Sequence, residues 1–159
     1  MDAPTMQPVQ QQTAPQNPLP PNAMREIGLT AIAAFNDPQR RADYFDILYD
    51  DDIVLHGYTP QPIVGKAAVR GFYDQMFDAF PDAHVATEAM YVAGDHLRWR
   101  FRFAGTHRGD FLGVPGTGAT FDIPGITVLR FGEARCVERW SVADFLGLLM
   151  QVGARVAVG

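Results

Sequence analysis

Cysteine and lysine are almost missing from this chain, which holds one Cys, Cys136, and one Lys, Lys66, in 159 residues. A lone thiol cannot close an internal disulfide or build a thiolate metal cluster within one chain, and a reducing, cytoplasmic setting is the expectation. The positive charge that remains is scattered Arg, and the net charge is −5 with pI ≈ 5.2. Binding phosphates needs clustered cations, so neither nucleic acid nor an anionic membrane is expected as a partner. No apolar run approaches a membrane span, and no basic region followed by an apolar stretch marks a signal peptide.

The stronger catalytic signatures are absent as well: there is no G-x-S-x-G elbow, no phosphate loop and no H-E-x-x-H. The run from Gly113 to Gly118 lacks the GK[ST] ending and is read as a turn. His56, His84, His96 and His107 never fall at the helical i, i+4 spacing of a metal pair. The run Asp50-Asp51-Asp52 is read as solvated acids closing a helix, so no metal is expected there.

What is present is an ordinary globular composition, 47% hydrophobic and 19% charged, enough to bury one core without staples. Residues 1–21, rich in Pro and Gln, read as a disordered tail. A single domain spans 22–153, followed by a short tail over 154–159. Asn22 can cap a first helix that ends at Asn36-Asp37-Pro38, and Asp37-Pro38 opens a second with Ala42, Phe45, Leu48 and Tyr49 on one face. Ile53 to His56 reads as a short buried strand. From Lys66, the residues Val69, Phe72, Tyr73, Met76, Phe77 and Phe80 form one helical stripe that Pro81 terminates.

The pattern then switches to period two. His84 to Val92 reads as a strand, and Leu97, Trp99, Phe101 and Phe103 alternate with Arg98, Arg100 and Arg102, a solvated guanidinium face. A Gly-rich loop follows, then strands at 121–131 and 135–142 and a closing helix carrying Phe145, Leu148, Leu149 and Val152. Strands grouped after helices indicate α+β. A strongly curved, mostly antiparallel sheet wrapped around the N-terminal helices gives a cone with an internal apolar cavity.

Asp144 has two readings. Placed just before the closing helix it is an N-cap, and the residues alone favour that. At the mouth of an apolar cavity it would be a general base, with desolvation lifting its pKa toward working pH. His56 and His107 could each border the same cavity or make a structural hydrogen bond.

Several pieces recur together: the strand ending in His56, Gly65-Lys66 opening a helix that runs into Phe80-Pro81-Asp82, and the segment Gly105 to Phe111. Thr117-Gly118, Arg130-Phe131, Glu138-Arg139-Trp140, Asp144 and Gln151-Val152-Gly153 complete the set. In this order the chain from Asn22 to Gly153 resembles the SnoaL-like polyketide cyclase family, the ester cyclases, which share the cone-shaped fold of nuclear transport factor 2. The resemblance implies a homodimeric enzyme of natural-product biosynthesis that closes a polyketide-like ring by intramolecular aldol condensation without metal or cofactor. It implies Asp144, in the family's W-x-x-x-D segment, as the general acid/base, Trp140 as a pocket wall and His56 as a rim contact. Trp99, His107, Arg130, Phe72 and Met76 complete the expected substrate contacts. Cyclising members also carry an imidazole on the penultimate strand; here 125–131 has none, and Arg130 is the residue there able to polarise a carbonyl. Cyclisation by substrate folding alone, other chemistry on the same fold, and a non-catalytic ligand-binding or dimerisation module are the alternative readings.

Overall fold

A computed structural model describes residues 13–155; most of the expected N-terminal tail and residues 156–159 lie outside them. Residues 13–20 carry no helix or strand, and helix α1 (Pro21–Asn36) begins at Pro21, two residues sooner than a cap at Asn22 allows. Proline suits that first position because its missing N–H would have no partner there. α2 (Arg41–Leu48) is shorter than expected, since Pro38 to Arg40 form a turn tied by the Asp37 carboxylate to the Gln39 N–H.

The acidic run does not close α2. Strand β1 (Tyr49–His56) starts at Tyr49 and carries Asp50 to Asp52 within it, so Tyr49 is the first strand residue and not the last of a helical stripe. β2 (Ile63–Val64), which the sequence pattern did not mark as a strand, pairs with β1. α3 (Lys66–Ala79) follows the predicted stripe and stops before Phe80-Pro81. β3 (His84–Ala93), β4 (His96–Thr106), β5 (Thr120–Phe131), β6 (Cys136–Ala143) and α4 (Phe145–Gln151) complete the chain.

The six strands form one sheet in the order β2-β1-β6-β5-β4-β3, antiparallel except where β1 lies parallel to β6. The fold is the expected α+β, with α1, α2 and α3 packed on the inner sheet face. One core unites Met24, Phe35, Tyr44 and Tyr73 from the helices with Leu97, Ile123 and Phe131 from the sheet. The outer face carries the guanidinium groups, Arg100 on Glu88 and Arg102 on Asp122, as expected. Among the described residues no helix is long and apolar enough to cross a membrane.

Two polar clamps fix the helices on the sheet. The Asp82 carboxylate accepts both the Thr106 backbone N–H at 2.7 Å and the Thr106 hydroxyl at 2.6 Å, tying the end of α3 to the end of β4. Asn36, at the last turn of α1, accepts the Val85 N–H at 2.8 Å and donates to the Val85 carbonyl at 2.9 Å, satisfying both backbone groups of one β3 residue. Asn36→Ala leaves those partly buried groups without partners, and we expect a loss of about 1–3 kcal/mol in denaturant unfolding. Unchanged stability would mean that water replaces the amide there.

Candidate active site

The site is set by a break in strand parity. On β5, alternate residues Phe121, Ile123, Gly125, Thr127, Leu129 and Phe131 face inward without interruption. On β6 the register shifts: Arg130 pairs with Glu138, but Phe131 pairs with Cys136, so Val137 is an extra residue. A bulge of this kind inverts every side chain beyond it. Cys136 faces inward before the bulge and Arg139 and Ser141 after it, while Glu138 and Trp140 turn to the outer face.

Arg139 is 4% exposed. Its Nε donates to the Thr127 and Ser141 hydroxyls, both at 2.9 Å. Its Nη1 is directed at three phenol oxygens, Tyr49 at 2.5 Å, Tyr44 at 2.8 Å and Tyr73 at 3.3 Å. Among the described residues no carboxylate forms a salt bridge with it, and its Nη2 donates no hydrogen bond. A buried cation without a counter-ion is costly unless dipoles replace its water. Here hydroxyl oxygens do so: burial opposes the charge, yet the surrounding tyrosines outweigh it and hold the guanidinium well above its ordinary pKa. Burial pushes the Tyr49, Tyr58 and Tyr73 hydroxyls up against the pull of Arg139, Tyr73 to about 12, so all three are neutral near neutral pH.

This cluster forms part of the lining of a cavity between the inner sheet face and the helices. Phe35, Met76, Trp99, Phe101 and Phe103 supply apolar walls, and Phe145 of α4 covers one side. Arg139 is the single charged residue in the lining. The indole Nε1–H of Trp99, a residue 2% exposed, has no hydrogen-bond partner. About 40 Å³ is open to the centre of a water molecule, room for about three waters at roughly 10–15 Å³ each. A bicyclic ligand does not fit unless a wall moves.

Of the residues expected to meet substrate, Trp99 and Met76 line this cavity. Phe72 lies one layer away, packed on Tyr58 with ring centres 5.4 Å apart, and lines a neighbouring hollow with Met76 and Phe111. His107 is fully buried behind Phe80 and near Thr117, outside the cavity lining.

His56, Trp140 and Arg130 are on the opposite, outer face, so their expected places as rim, wall and carbonyl contact are corrected. His56 stacks on Trp140 at 5.3 Å and meets Glu138 Oε1 at 2.9 Å, and Arg130 donates to Glu138 Oε2 at 3.0 Å. Asp144 is exposed and its Oδ1 accepts the Gly147 N–H at 2.8 Å. It is the N-cap of α4 and does not line the cavity, although its chain neighbours Ala143 and Phe145 do. The sequence reading missed Arg139, Tyr44, Tyr58 and Tyr73. Tyr49 and Tyr73, on faces that the apolar spacing marks as buried, were the available signal, because phenols seek a polar partner when buried; Tyr44 lay off that face and carried none.

The SnoaL-like polyketide cyclase model matches residues 25–152. No curated protein matches the sequence. Among solved structures, a protein from Jannaschia sp. CCS1 assigned to the SnoaL-like polyketide cyclases superposes with TM-score 0.75 at 21% identity, over 92% of this chain and 100% of that one. AclR of Streptomyces galilaeus, assigned as a hydroxylase, gives 0.73 at 25% identity, over 87% and 85%. IdmH of Streptomyces antibioticus, assigned as a polyketide cyclase, gives 0.70 at 25% identity, over 82% and 99%.

Tyr49→Phe keeps the shape of the cluster and removes the acceptor nearest to Arg139. The expected cost is about 1–3 kcal/mol in urea unfolding, since one dipole solvating a buried charge is lost. A variant as stable as the parent would show that Tyr44 and Tyr73 suffice.

Proposed function

The chain belongs to the SnoaL-like polyketide cyclase family, and we propose from that premise that it closes a carbon ring in a polyketide-like substrate without an organic cofactor. The observation that supports this reading is the character of the cavity lining, aromatic walls with one fixed cation and neutral phenols, in a cavity that must widen by movement of a wall before it takes a folded chain. A carbon between two carbonyls loses a proton to give a delocalised enolate, which attacks a second carbonyl carbon, and the resulting alkoxide takes a proton back. Holding both reacting carbons together supplies much of the acceleration, and positive potential favours the enolate.

Asp144 is the proposed acid/base. It stands between two residues of the cavity lining, Ala143 and Phe145, on the junction of β6 and α4. To take a substrate proton its carboxylate must leave the Gly147 N–H or use its other oxygen, with the reacting carbon near the mouth of the cavity. The capping geometry itself favours a second reading, in which the cavity folds a reactive substrate and no carboxylate transfers a proton. A homodimer is proposed as well, with Ile126 and Val142, paired and exposed on the outer sheet face, as part of the contact.

Asp144→Asn separates the two chemistries, because asparagine caps helices about as well as aspartate. Under the acid/base reading, unfolding stays within about 0.5 kcal/mol of the parent while turnover of a linear polyketide ester falls by about 10²-fold or more. Full turnover in that variant would remove Asp144 from the mechanism and leave substrate folding as the source of rate.

A further inference from the structure

The lining of the cavity is unbalanced in charge and in hydrogen bonding. Trp99 pairs across the sheet with Thr127, and Thr127 Oγ1 accepts the Arg139 Nε–H. Trp99 and Arg139 lie in adjacent inner rows, both border Thr127, and both line the cavity. Each presents an unused donor: the indole Nε1–H has no partner, and Nη2 makes no hydrogen bond among the described residues. The phenols of Tyr44, Tyr49 and Tyr73 are already directed at Nη1. No carboxylate lines the cavity, so positive charge is left uncompensated beside donors that lack acceptors.

We propose that the Arg139 Nη2 and Trp99 Nε1 groups form a subsite for an anionic oxygen, the carboxylate or enolate of a carbonyl compound. This deepens the ring-closing reading and rests on the same cavity. A neutral amide of the same shape can offer both donors its carbonyl oxygen but leaves the guanidinium charge uncompensated, whereas an oxyanion accepts from both and neutralises it. Charge-assisted bonds of this kind are about twice as strong as neutral ones. The site therefore discriminates by charge, independently of whether the bound molecule reacts.

The test is a titration of the whole protein that needs no turnover. Acetate, small enough for the cavity as it stands, is compared with isosteric acetamide, and benzoate with benzamide, at constant ionic strength. The readout is the indole N–H resonance of each tryptophan. Trp140 on the outer face serves as an internal control. The expected result is saturable movement of the Trp99 signal by acetate or benzoate, at least about tenfold tighter than by the amide, with Trp140 unmoved. Trp99→Phe should weaken carboxylate binding, followed by calorimetry, and Arg139→Met should abolish it. If Arg139→Met does not fold, the charge comparison and Trp99→Phe decide. Equal response to acid and amide, movement of both tryptophans alike, or no response to either carboxylate would overturn the proposal. Loss of cyclase turnover with anion binding intact would count against the ring-closing reading alone; turnover without anion binding would count against this subsite alone.

Discussion

A guanidinium buried without a carboxylate is the constraint around which the interior is arranged. Arg139 reaches Tyr44 on α2, Tyr49 at the start of β1, Tyr73 on α3 and Thr127 on β5, so one side chain of β6 joins five elements. Each contact is a hydroxyl dipole and none is an ion. Such a cluster leaves the charge electrostatically active, because dipoles solvate a cation without cancelling it. A paired carboxylate at the same place would have given a sealed salt bridge and a cavity without potential.

The same residue marks where the sequence stops being readable. The stripe on α3, the alternation on β4 and the order of elements apart from the short β2 follow from periodicity and from Pro81, and the structure has them where the residues put them. The face of β6 does not follow, because Val137 is inserted against β5 and reverses the parity beyond it. Reading alternation from Trp140 as an inward aromatic puts Arg139 outside; the bulge does the opposite. Nothing in Cys136-Val137-Glu138 signals a bulge by composition, since these residues serve equally well in a regular strand. The parallel pairing of β1 with β6 was hidden for a related reason: strand partners distant in sequence are chosen by the sheet as a whole. Asp144 was legible as a cap from its place before an apolar helix, and the structure has it in that place.

Membership in the family narrows the chemistry less than the lining does. A hydroxylase assignment and a cyclase assignment both occur among structures that superpose well on this one, as expected when a scaffold supports different reactions through a few inward residues. In this chain the inward polar residues around the cavity are a permanent cation, phenols that burial holds neutral and the hydroxyls of Thr127 and Ser141. Groups of this kind stabilise developing negative charge and do not themselves exchange protons near neutral pH. Any proton transfer in the reaction therefore falls to the substrate, to water or to a group at the rim.

Size adds the last constraint. Room for a few waters cannot hold a folded polyketide, so the proposed ring closure requires a wall to move, and the walls differ in how readily they do so. The sheet side is fixed by paired backbone, and the Tyr–Arg side by the cluster around Arg139. Met76 borders both the cavity and the adjoining hollow lined by Phe72, Phe111 and Leu112. An unbranched thioether changes rotamer at little cost, and Leu112, exposed and at φ 51, lies on a loop and not on the sheet. Because Met76 belongs to both linings, its displacement is the wall movement we expect to lengthen the cavity, and none of the hydrogen bonds of Arg139 involves it.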